Sequence, residues 1–406
     1  MTLFRPLVIN CFRSVCMHEE GALFMTSFQA LTAKFFTGNF AIMAFGDLYF
    51  ILALYLQDMG ITDPRTLGWI LGIYFAASAF TRPLSGFIIE KFSFRRVMLT
   101  ASLLCLASGA GVALAGTSVS LILVFRALTG FSSSLFLVGL TTYQALVVPE
   151  EIRGSSFTLA SAGTIAPLIA ILPVAEWLLK NGHKYIYIWS PILPAILCLT
   201  VAAAIPPADD LALKKGNWGT YSEIFRIKAS RTLLTSVVLF AMTDAVIISM
   251  AGLAMERGVL ASSFISSQAL TGLMVRLFGY RLMDRLPRSR LAALCFSVTA
   301  LGSVAITFVN SNGGMIFWGI VYGIAMGYGF PLHLSLIGDA VPERLRPKGT
   351  SLVWFVMAGC YFISPVLTGF IARWLNFSWA FRIICGTIIL CAPLMHKEFK
   401  KSFERT

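Results

Sequence analysis

Residues 82–96 read Arg82-Pro-Leu-Ser-Gly86-Phe-Ile-Ile-Glu90-Lys91-Phe-Ser-Phe-Arg95-Arg96. The stretch joins two long apolar runs. Its charge pattern returns in the second half of the chain, with arginine, acid, base and final arginine at the same offsets: Arg276, Asp284, Arg285 and Arg290. A second pair repeats at nearly the same distance, Val148-Pro-Glu-Glu-Ile-Arg153-Gly and Val341-Pro-Glu-Arg-Leu-Arg346-Pro. A chain of two related halves, each crossed by apolar runs and stitched by charged loops, has the gross design of a membrane carrier.

Composition points the same way. Mean hydropathy is +0.80, 57% of residues are hydrophobic and 13% are charged, against about 25% charged in a soluble domain. Apolar runs of roughly 20 residues span the hydrocarbon core as helices, which satisfy their own backbone hydrogen bonds in lipid. The expected fold is all-α, with twelve spans near 37–57, 67–89, 97–116, 120–147, 156–179, 186–206, 233–254, 260–283, 291–309, 315–340, 350–373 and 377–395. Residues 36–206 and 233–395 form two six-helix bundles. The polar interval 207–232 is the linker, with room for a short amphipathic helix, and 396–406 is a tail. In 1–35, Arg5, Arg13, His18, Glu19 and Glu20 interrupt a weak apolar stretch, so a disordered tail or a mis-set start ahead of Met25 is expected.

Basic residues fall on one side of this topology. Arg95, Arg96, Arg153, Lys214, Arg226, Lys228, Arg288, Arg346 and Lys400 share it, whereas the other side holds Arg65, Lys180, Lys184 and Arg257. The positive-inside rule makes the first side cytoplasmic, with both termini inside. The net charge of +13 therefore belongs to loops between spans and does not suggest nucleic acid. Six of the eight cysteines (Cys105, Cys198, Cys295, Cys360, Cys385, Cys391) lie inside apolar runs and read as small packing residues. The sequence carries no phosphate loop, paired-histidine metal motif or nucleophile motif, so no enzyme is read from it.

The loop Gly86-Phe-Ile-Ile-Glu90-Lys91-Phe-Ser-Phe-Arg95-Arg96 resembles the signature between spans two and three of the major facilitator superfamily, with Phe94 where a glycine is usual. Arg126-Ala-Leu-Thr-Gly130 resembles the family's second signature, in the fourth span. With twelve spans and a halved repeat, the likeness covers residues 36 to 395. It implies the two-bundle fold, alternating access, and a role for Arg126 in proton transfer near an acid of the first span. Phe80-Thr-Arg82-Pro83-Leu-Ser-Gly86 also looks like members that export metallophores and other small polar metabolites.

The charges inside the spans carry the functional reading. A charge near the bilayer centre costs at least a few kcal/mol, so it faces a cavity or a partner. Asp47 and Asp244 sit mid-span in the opening helices of the two halves. With Arg126 they are the candidates for proton coupling; the alternative is that each acid pairs with a nearby arginine or helix end. Tyr49, Gln144, Arg276, His333 and Trp354 are the candidate cavity residues. Arg126 or Arg276 would also suit an anionic substrate, and spacing does not separate these roles. Gly86, Glu90, Lys91, Arg95, Arg96, Asp284, Arg285 and Arg290 are candidate gating-loop residues, set against a plain topological role. In the fifth span, Gly163 to Pro173 partly matches the Gly-Pro stretch of antiporters, with Leu172 in place of the last glycine. The expectation is a proton-coupled carrier for a small polar or amphipathic solute, working by efflux or, in second place, by symport. It would sit as a monomer in the inner membrane of a bacterium. Its partners would be a small-molecule substrate, protons and lipid, with no cofactor, metal or nucleic acid. A channel is the distant alternative.

Overall fold

The computed structural model describes residues 19–147, 150–206, 220–278, 288–342 and 345–403, and these are almost entirely helical. Among the described residues, ten helical stretches are long and apolar enough to cross a membrane: Leu31–Asp58, Phe94–Leu114, Val119–Gln144, Ala160–Lys180, Lys184–Ala204, Lys228–Arg257, Arg290–Phe308, Asn312–His333, Leu352–Trp374 and Phe377–Phe403. Pro64–Phe92 and Ala261–Phe278 fall between them as the second and eighth spans, which gives twelve. An even number puts the start of the first of these spans and the end of the last on one face, here called the terminal face; the opposite one is the loop face.

The predicted spans match to within a few residues, and the differences lie at the ends. The first helix starts at Glu19. Residues 19–35, expected to belong to a tail, therefore run straight into the first span. Between Gly21 and Gly46 only Lys34 is charged and no proline intervenes, so nothing stops the helix. The last helix continues to Phe403, where Glu398 meets Lys228 at 3.9 Å and Lys401 at 3.2 Å. The linker holds a short helix, Tyr221–Arg226, opened by a reciprocal capping box between Thr220 and Glu223 and anchored by buried Ile224.

Large apolar side chains such as Leu114, Phe278, Trp374 and Leu390 stand about three-quarters exposed on the outer surface, as lipid-facing positions do. Cys105, Cys198, Cys295, Cys360 and Cys385 are buried and unpaired. The two halves meet mainly where the second span crosses the eleventh and the fifth crosses the eighth. At the first crossing the backbones almost touch. A Cβ on Gly68 would lie 2.4 Å from the Pro365 carbonyl oxygen, and one on Gly369 would lie 2.3 Å from that of Pro64. Only glycine permits this approach at the loop face.

Candidate functional site

The first and seventh spans both change winding at their acids. The α-helix of the first ends at Asp47 and passes into a 3-10 turn, Leu48–Ile51; that of the seventh ends at Ala245, one residue after Asp244, and passes into Val246–Ser249. Such a stretch inside a helix frees backbone carbonyls and marks a hinge. Each is tied by a tyrosine. The Tyr187 hydroxyl donates to the Leu48 carbonyl at 2.8 Å, and that of Tyr322 to the Thr243 carbonyl at 3.1 Å.

Between the halves lies a cavity of about 740 Å³ lined from eight spans, the first, second, fourth and fifth and the seventh, eighth, tenth and eleventh. Its volume lies within the range of small-molecule sites. Asp47, Tyr49, Arg126, Gln144, Asp244, Arg276 and Trp354 all line it, as do Tyr74, Arg82, Gln268 and Tyr361. From the level of the two acids the lining runs toward the terminal face, reaching Asn39, Arg82, Gln144 and Trp354.

Asp47 is 5% exposed, and its Oδ2 is buried without a hydrogen-bond partner. Arg126 is 3% exposed and held by aromatic faces, 4.5 Å above the Tyr49 ring and 5.0 Å above that of Tyr74. Its Nη1 donates to Thr129 Oγ1 at 3.2 Å and its Nε to the Ile70 carbonyl at 3.4 Å. Acid and base thus share the cavity, but among the described residues no ion pair joins them. Asp244 is held differently. Oδ1 shares the Tyr322 hydroxyl hydrogen with the Thr243 carbonyl, at 3.3 Å, and Oδ2 accepts from Tyr361. The Tyr361 ring stacks at 5.2 Å on Phe75 of the opposite half. Arg276 lies 5.3 Å above Phe330 with Nε buried and unbonded.

His333 is not among the cavity-lining residues, so the substrate role expected for it is not where the structure places it. It is 2% exposed inside the C-terminal bundle, stacked on Phe240 at 4.6 Å. Its Nδ1 bonds the Gly329 carbonyl at 2.7 Å and its Nε2 meets Ser236 Oγ at 2.8 Å. A carbonyl only accepts, so Nδ1 carries a hydrogen, and in the neutral ring Nε2 accepts from Ser236. Both ring nitrogens serve packing.

Of the gating candidates, Arg95 Nη2 donates to the Ala203 carbonyl at 2.9 Å, tying the third span to the sixth. Arg96 and Arg290 are exposed. Gly86, Glu90 and Lys91 lie near the end of the second span, while Asp284 and Arg285 lie outside the described residues. The sharp turn after the second span is made at Ser93, with φ 66° and ψ 152°, one residue before the Phe94 that replaces the signature glycine. The fifth span breaks at Ile171. Pro173 follows at once, and a ring in place of an N–H cannot continue the ladder.

At the loop face the halves are latched by Glu176, a residue the sequence reading passed over. It is 1% exposed, and its two oxygens accept the backbone N–H groups of Ala261 at 2.9 Å and Ser262 at 2.8 Å. These open the eighth span, in the other half, where orphan amides and the helix dipole favour an anion. Ser266 Oγ donates to the Leu168 carbonyl at 2.7 Å close by. Asp63 and Arg373 pair at 2.6 Å across the second and eleventh spans. Partial burial pushes the Asp63 carboxyl up, but bonds from Thr66 and Arg373 outweigh this and leave it below its ordinary value.

A family model described as Major Facilitator Superfamily matches residues 34–256 and 232–401. The chain belongs to the major facilitator superfamily. No match emerges among curated protein sequences. Among solved structures, a mutant of the nucleoside transporter NupG shares 14% identity, covers 91% of this chain and 100% of its own, and superposes with a TM-score of 0.76. A bacterial homolog of the human lysosomal transporter Spinster, inward-facing and unoccupied, shares 13% identity over 93% and 97% of the two chains, with a TM-score of 0.72. A mutant of the peptide transporter POT, in complex with sulfate, shares 14% over 93% and 95%, with a TM-score of 0.76. At these identities the likeness establishes the two-bundle transporter fold.

Proposed function

We propose that this member of the superfamily is a proton-coupled secondary transporter that moves a small polar or amphipathic solute by alternating access. The terminal face is the cytoplasmic one, by its basic residues, and the conformation described above is then closed to the outside. Export of a metabolite, such as a metallophore, in exchange for protons is the favoured direction; symport is second. A bacterial cytoplasmic membrane is the setting. The observation that carries the proposal is Asp47: a carboxyl buried in the central cavity, at a helix-winding change, with an oxygen left unbonded. With no hydrogen bond to that oxygen and, among the described residues, no base paired with it, a carboxylate held there costs several kcal/mol, so a proton must complete the site. Asp244, already bonded by two tyrosines, is assigned to a second proton and, once protonated, to the solute. The 3-10 turns after both acids give the two bundles matched hinges around one central cavity.

The test uses purified protein in proteoliposomes. Asp47→Asn should abolish accumulation driven by a proton gradient and spare solute-for-solute exchange, which moves no net proton. Accumulation against a gradient by Asp47→Asn would pass the proton role to another group.

A further inference from the structure

We propose that Arg82 and Arg276 form an anion clamp toward the terminal-face end of the cavity, so that the solute is a small organic carboxylate with a planar or apolar body. This rests on the carrier reading and names its substrate class. The two arginines occupy equivalent places in the halved repeat, one on the second span and one on the eighth. Arg82 lies 5.1 Å above the Trp354 ring and Arg276 lies 5.3 Å above the Phe330 ring. Those rings meet edge to face, with centroids 5.5 Å apart and planes at 64°. Arg82, Trp354, Phe330 and Arg276 therefore make one continuous row, and all four line the cavity.

The guanidiniums in this row have donors to spare. Among the described residues neither is ion-paired to an acid. Arg82 spends Nη1 on the Trp354 carbonyl at 3.1 Å, and Arg276 keeps a buried Nε with no acceptor. Asp244, the acid of the same half, lies within electrostatic reach of Arg276 without pairing with it, and its oxygens are engaged by Tyr322 and Tyr361. With Arg126, three guanidiniums face the cavity against two carboxyls, Asp47 and Asp244. Arg126 is buried and Arg82 and Arg276 are partly buried; an unmatched charge in such a site is costly, and an oxyanion offsets it. Arginine suits that task because its fork matches a carboxylate with two parallel hydrogen bonds. The edge-to-face ring pair between the forks is a floor for a flat or apolar body. Because one arginine comes from each half, a solute that engages both also favours the state in which the halves meet around it, which couples binding to closure.

The experiment measures equilibrium binding to the full-length protein in lipid nanodiscs by calorimetry. The probes are benzoate, phthalate and benzene-1,3,5-tricarboxylate, with benzamide and phthalamide as neutral counterparts and benzylammonium as the cation. The expected result is saturable binding of at least one carboxylate, at least tenfold tighter than its amide and weakened by salt. Arg82→Gln and Arg276→Gln should each weaken it tenfold or more, Arg→Lys at the same positions less, and Arg231→Gln, on the exposed terminal face, not at all. Thermal melting checks folding; where a glutamine variant does not fold, the lysine variant and the salt dependence of the wild type decide. The proposal is overturned if no carboxylate binds saturably, if an amide or benzylammonium binds as tightly, or if both arginine variants keep full affinity. The carrier reading is judged separately, by flux. Gradient-driven movement of a neutral or cationic solute together with failed carboxylate binding removes the clamp and keeps the carrier.

Discussion

Replacing Glu176 by glutamine should open the loop face. In the closed state both carboxylate oxygens accept backbone amides at the start of the eighth span, 2.8–2.9 Å away and out of water. A hydrogen bond to a charged group contributes about 1.5–3 kcal/mol net. Glutamine keeps one acceptor, turns a donor toward the second amide and removes the charge facing the helix dipole. The closed state should lose about 2–4 kcal/mol, while the open state, in which water serves both groups, loses little. At 1.4 kcal/mol per tenfold, the equilibrium moves by about 30- to 700-fold. Spin labels at Asn181 and Asn310, one in each half at the loop face, report the change by pulsed electron resonance in a background without native cysteines. The wild type should show one short-distance population, and Glu176→Gln a dominant or clearly raised long one. The same distance distribution in both would refute the latch.

Gly68→Val should keep the loop face from closing, since a side chain there collides with the Pro365 carbonyl; the same labels would show only the long population, with bundle melting nearly unchanged. The Asp63–Arg373 pair should contribute little, since its side chains are 35% and 46% exposed and such pairs contribute about 0–1 kcal/mol. The Asp63 carboxyl lies lower in the closed state than when free, so its contribution is present above the ordinary value of about 3.9 and lost as pH falls through the lowered one. Closure measured from pH 5 to 8 should therefore not vary through this pair. Topology reporters fused after Arg96 or Lys228 should read cytoplasm, and those near Asp63 or Asn181 the outside.

What the sequence reveals and what it hides follow from the solvent. Span number and the halved repeat are readable because apolar length and loop charge are one-dimensional signals. Charged residues within spans are readable too, since each must face a cavity or a partner, and Asp47, Arg126, Asp244 and Arg276 do share one cavity. Rotation about each helix axis is not readable: lipid and bundle core are both apolar, so the usual amphipathic stripe is missing. That is why the sequence places His333 with the cavity residues, while the side chain packs against Phe240 and Ser236. Tyr361, which bonds Asp244, and the 3-10 turns after both acids have no pattern of their own in the chain. Glu176, five residues before Asn181, looks like an ordinary interface charge until the eighth span is set against it.

The carrier reading stands or falls on accumulation. Proteoliposomes holding the purified protein are given a whole-cell metabolite extract, with a pH gradient of either sign, and their contents are read by mass spectrometry. At least one solute should rise inside above its outside concentration, saturably, only with one sign of gradient, and fall back on adding a protonophore. Solutes that merely equilibrate, at the same rate with and without the gradient, would contradict proton-coupled transport.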